Sequence, residues 1–87
     1  MDLSDFTTTR HELKRPLLVI SGSKGVLACG YLNIETFERL DEAGAIVSGV
    51  NSWDDMLDAT IIAASSAAGR LGVSPGMTGR QALKAFR

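Results

Sequence analysis

The chain has 87 residues, 45% hydrophobic and 22% charged, with a formal net charge of −1; one domain with one modest core is all this length supports. The near-neutral balance argues against the basic surface of a nucleic-acid binder, and no apolar run nears the roughly 20 residues of a membrane span. One cysteine and one histidine exclude an internal disulfide and fall short of the four ligands of a closed zinc site.

Residues 1–15 are weakly patterned, and Thr7-Thr8-Thr9 suits a strand. This segment is an N-terminal arm or edge strand that would serve oligomerisation, ahead of a single domain over 16–87. It lacks the apolar core of a signal peptide, so the expected location is the cytoplasm. Pro16 then opens the run Leu17-Leu18-Val19-Ile20, and proline is tolerated at a strand's first residue. Turn chemistry at Ser21–Gly25 leads to a second run, Val26–Cys29, which predicts a β-hairpin.

Asn33 is a good N-cap for a helix ending near Gly44, with Ile34, Phe37 and Leu40 on its apolar face. Ala45-Ile46-Val47 reads as a buried strand closing at Gly49. Strand, helix and strand in so short a span predict a parallel crossover. Ser52, with Asp55 three residues on, starts what reads as the longest helix. Its buried stripe would be Trp53, Met56, Leu57, Ile61, Ala64, Ala68 and Leu71, and Gly72 would stop it. Pro75-Gly76 makes a turn, and Thr78 with Gln81 forms a capping box for a last helix, Gly79 to about Phe86. The order predicts an α+β fold: a small mixed β-sheet, hairpin plus βαβ crossover, packed with about three helices.

All ten acidic residues lie at or before Asp58, and Arg70, Arg80, Lys84 and Arg87 follow. Helix-dipole complementarity accounts for this placement; a positive end facing another copy or an anionic ligand is the alternative. Cys29-Gly30-Tyr31 stands between a strand and the helix capped by Asn33, a setting that favours thiolates and anions. A free cysteine is more often a packed small hydrophobe. Thr78-Gly79-Arg80 pairs a helix start with a cation and would suit a carboxylate or phosphate, although capping explains the same residues. The Ser21–Gly25 loop leads into a strand and does not match a P-loop. No catalytic motif or dinucleotide fingerprint is present, so no catalytic residue, metal site or cofactor is assigned.

Pro16–Ile20, Lys24–Thr36, Ala45–Val50, Asp54–Leu57 and Gly76–Leu83 together resemble the domain of unknown function 1805 family (DUF1805), the YunC-like proteins of bacteria and archaea. The resemblance implies a small α+β domain and an N-terminal β region that serves in tetramerisation. Residues 1–15 are shorter and more polar than the family's pattern. The resemblance brings no catalytic residues, but its most recognisable positions include Cys29-Gly30-Tyr31 and Gly76–Gly79.

Two readings follow. The first is a homo-oligomeric small cytoplasmic protein, a dimer or tetramer, without chemistry of its own. The second is a small-ligand-binding or thiol-dependent enzyme with its site near Cys29 at a subunit boundary. For that second reading the candidate residues are Cys29, Gly30, Tyr31, Asn33, Thr78, Gly79 and Arg80, and the candidate ligand is a small anion.

Overall fold

The threonine-rich segment forms strand β1 (Thr7–His11), and the two apolar runs form β2 (Leu17–Ser21) and β3 (Val26–Ala28). All three are joined antiparallel, with Thr9 opposite Val19 and Val19 opposite Ala28. Alternation along β2 sends Leu18 and Ile20 into the core, as a half-buried strand requires. The computed structural model describes residues 1–87.

Helix α1 (Ile34–Arg39) follows β3 and returns the chain to β4 (Gly44–Ile46). β4 lies parallel to β3, with Leu27 opposite Ala45. Asn33 caps α1, its Oδ1 accepting from the Glu35 N–H at 2.9 Å. The helix stops at Arg39, short of the expected end near Gly44. Leu40, expected on its apolar face, is 64% exposed, because the chain leaves the helix at that residue.

The largest departure lies after Ser52. The expected long helix is three elements: α2 (Trp53–Asp58), a two-residue strand β5 (Ala63–Ala64) and α3 (Ser66–Arg70). Thr60-Ile61-Ile62 is a run of β-branched residues, which crowd a helix and suit extended backbone. That backbone also finds better partners elsewhere. Ile61 N–H donates to Met77 O and Ile62 N–H to Ile46 O. β5 then pairs antiparallel with β4. Ser65 restarts the helix as an N-cap and is 2% exposed. Its Oγ donates to Glu42 O at 2.6 Å and accepts from the Gly44 and Ala68 N–H groups. Leu71, placed by the periodicity in the buried stripe, is exposed as a result.

Helix α4 (Gly79–Phe86) closes the chain with the full Thr78–Gln81 capping box. The five strands make one mixed sheet in the order β1-β2-β3-β4-β5. Leu27, Met56, Leu83 and Phe86 belong to its single buried core, so α2 and α4 are held against the sheet by apolar burial.

Candidate functional site

The topology brings three loops to one end of the sheet. β3 and β4 run parallel, so the segments that leave them emerge side by side. β2 runs antiparallel to β3 and β1 to β2, so the β1–β2 turn comes to the same end. These segments border an open cavity of about 270 Å³. The turn contributes Arg15 and Pro16, the segment after β3 contributes Cys29, Gly30 and Tyr31, and the segment after β4 contributes Ser48, Gly49 and Val50.

The walls differ in character. Tyr31 is 48% exposed, whereas Val50 is buried. Gly49 takes φ = +73°, a conformation glycine adopts freely, and so turns the chain sharply beside the cavity. Arg15 is the only formally charged lining residue, and its Nη2 donates to Asn51 Oδ1 at 3.4 Å. Cys29 is 4% exposed and belongs to the core. Its N–H donates to Leu18 O at 3.1 Å, and its Sγ accepts from the Leu18 N–H at 3.3 Å. The thiol is thus tied into the β2–β3 ladder at the floor of the cavity. The carboxyl held below its ordinary range is Asp2, which accepts from the backbone N–H and then the hydroxyl of Ser4; it does not line the cavity.

Of the candidate residues, Cys29, Gly30 and Tyr31 line this cavity, and Asn33, Thr78, Gly79 and Arg80 do not. Asn33 borders a separate depression with Phe37 and Leu40. Thr78 N–H donates to Gln81 Oε1 at 2.9 Å and Gly79 N–H to Ala59 O at 3.0 Å. Arg80 pairs with Asp58 at 3.6 Å. The sequence reading missed Arg15, Pro16, Ser48, Gly49 and Val50. Their signal was topological: two loops that follow parallel neighbours, and a hairpin turn that returns to the same end. No cluster of three or more His, Cys, Asp or Glu side chains comes together anywhere in the chain.

The model of DUF1805, a domain of unknown function, matches residues 28–86. The uncharacterized protein YunC of Bacillus subtilis (strain 168) is 34% identical over 74 residues, covering 80% of this chain and 73% of YunC. The crystal structure of a protein of unknown function, TA1206 from Thermoplasma acidophilum, is similar with a TM-score of 0.83 and 33% identity. That alignment covers 94% of this chain and 93% of TA1206. None of these descriptions carries an activity, and none is established for this chain. The matched span takes in both the Cys29 loop and the Thr78 turn, and the chain belongs to the DUF1805 family.

Proposed function

We propose that the chain works as a homo-oligomer, a dimer or tetramer, joined through the free edge of β1. One observation carries this reading: β1 is five residues long, pairs only with β2, and is exposed at every residue. An edge of this length is a template for another strand unless something guards it. Arg10 does not guard it. Its guanidinium folds back, with Nε on Glu12 and Nη1 donating to Asn51 O at 3.0 Å.

The ladder gives the edge a register. Cys29 N–H donates to Leu18 O, so the peptide groups of Leu18 turn toward β3 and those of Val19 toward β1. Thr9 lies opposite Val19 and turns inward. By alternation, Thr8 and Arg10 present their N–H and C=O groups outward. An antiparallel pair with Thr9 on the two-fold axis sets Thr8 of each copy against Arg10 of the other and joins all of these groups. A register shifted to centre on Arg10 would oppose like charges.

Light scattering at micromolar concentration is expected to give a dimer or tetramer, and a monodisperse monomer would overturn the reading. Thr8→Pro removes an outward-facing donor and leaves the β2 ladder intact. It is expected to leave a folded monomer. A cytoplasmic setting belongs to the same proposal, and it would keep the buried Cys29 thiol reduced.

The cavity favours a second reading, a small-ligand-binding or thiol-dependent enzyme with its site near Cys29. Its thiol part has a direct test. Rapid alkylation of the native protein at pH 7 would support a reactive Cys29. Alkylation only after denaturation, which the 4% exposure leads us to expect, would remove the thiol and leave the ligand.

A further inference from the structure

We infer that the cavity between the β3 and β4 loops binds the anionic group of a small organic molecule, a carboxylate or a phosphate, with Arg15 as its counter-charge. The inference rests on the reading of this cavity as a ligand site and is independent of self-assembly.

The argument begins with the backbone. Buried N–H groups in folded proteins almost always have a partner. The segments after β3 and β4 carry open amides at four exposed residues and one buried residue. The N–H groups of Gly30, Tyr31, Ser48, Gly49 and Val50 donate to no backbone or side-chain acceptor within the chain. Their neighbours are engaged: Cys29 N–H on Leu18 O, Leu32 N–H on Cys29 O, Val47 N–H on Ala28 O, and Asn51 N–H on Asp55 Oδ2. Both of these runs of open donors line the one cavity. Val50 alone departs from the buried pattern, since it is 6% exposed, whereas the amides of Gly30, Tyr31, Ser48 and Gly49 belong to exposed residues open to solvent or to a ligand.

Carbonyls of the same segments are open as well, so charge decides the sign of the ligand. No carboxylate lines the cavity, and Arg15 does. Successive backbone amides around a concavity form an anion site, and a guanidinium adds a planar fork matched to carboxylate and phosphate oxygens. Ser48 and Tyr31 supply hydroxyls within the same walls. The remaining surface, Pro16, Val50 and the Tyr31 ring, suits an apolar body attached to the anion. At about 270 Å³ the space lies just below the range of drug-sized pockets, which points to a metabolite of modest size.

The test is an amide-resolved NMR titration of the intact chain with three probes: inorganic phosphate, acetate and neutral acetamide. Saturable shifts confined to the amides of residues 30, 31 and 48–50, caused by phosphate or acetate and not by acetamide, are the expected result. Which of the two anions binds tighter distinguishes a phosphate from a carboxylate ligand. Arg15→Gln, at an exposed position, is expected to weaken binding about tenfold or more while the rest of the spectrum stays in place. Equal shifts with acetamide would overturn the anionic inference and leave a neutral-ligand site standing, and anion shifts unmoved by Arg15→Gln would overturn Arg15 as the counter-charge. No shift with any probe would overturn both.

Discussion

Two turns in this chain look alike as sequence. Gly30-Tyr31 and Gly79-Arg80 both place a glycine at a helix approach, and both invite an anion. The structure separates them by what their amides already hold. At the second turn Thr78 N–H reaches Gln81 Oε1, Gly79 N–H reaches Ala59 O, Gln81 N–H reaches Thr78 Oγ1, and Arg80 leans on Asp58. At the first, Gly30 and Tyr31 donate to nothing within the chain, and Arg15 stands across the cavity. The acceptors that decide between them include Ala59 and Asp58, some twenty residues upstream of the second turn. The difference teaches that a helix start becomes a candidate ligand site only after its internal partners have been counted.

The contrast breaks most visibly at the glycines. A methyl group on Gly79 would sit 1.9 Å from Met56 O and 3.0 Å from Leu27 Cδ2, and a backbone oxygen cannot rotate away. Gly79→Ala is expected to lose about 3 kcal/mol or more, read by urea denaturation. A variant of unchanged stability would mean that α4 does not press on α2 as described. Ser65→Ala comes next. It removes the cap of α3 and leaves Gly44 N–H and Glu42 O without their partner, for an expected loss of about 2–3 kcal/mol. A loss below about 0.5 kcal/mol, the ordinary scale of a surface change, would show that the buried hydroxyl is replaceable there.

Ser65 also marks the limit of what was legible beforehand. The hairpin, the Asn33 and Ser52 caps and the Thr78 capping box rest on interactions close in sequence, and the local pattern shows them, as the short apolar run shows β4. The stretch from Ala59 to Leu71 does not. Its alanines suit a helix by propensity, and Trp53, Leu57, Ile61, Ala64 and Ala68 keep helical spacing. The outcome depends on acceptors at Ile46, Met77 and Glu42, which no local window contains. Thr60-Ile61-Ile62 was the one local warning. The cavity divides the same way. Cys29-Gly30-Tyr31 stood out in the sequence, whereas Ser48–Val50 and Arg15 became neighbours only through the parallel pairing of β3 with β4 and the return of the β1–β2 turn.

A smaller effect sharpens the picture of the engaged turn. Thr78→Ala removes the acceptor for Gln81 N–H and one half of the capping box. The expected loss is about 1 kcal/mol, with the N-terminal amides of α4 exchanging faster with solvent hydrogen. A loss of 1 kcal/mol without faster exchange at Gln81 would place the effect elsewhere than the cap.

Gly30→Ala should change stability least and separates the two turns most cleanly. A methyl group there would meet only Ser48 Cβ, at 3.7 Å, which is ordinary contact distance. The position carries no positive φ, so alanine fits the backbone and restricts the unfolded chain. Stability is expected to hold or rise by a few tenths of a kcal/mol. The same methyl narrows the gap between the β3 and β4 loops where the open amides lie. Anion binding at residues 48–50 should therefore weaken while the urea midpoint stays put. A variant that folds as well and binds phosphate or acetate as tightly as the parent would detach the Gly30 loop from the site, leaving Arg15 and the β4 loop to hold the anion without it.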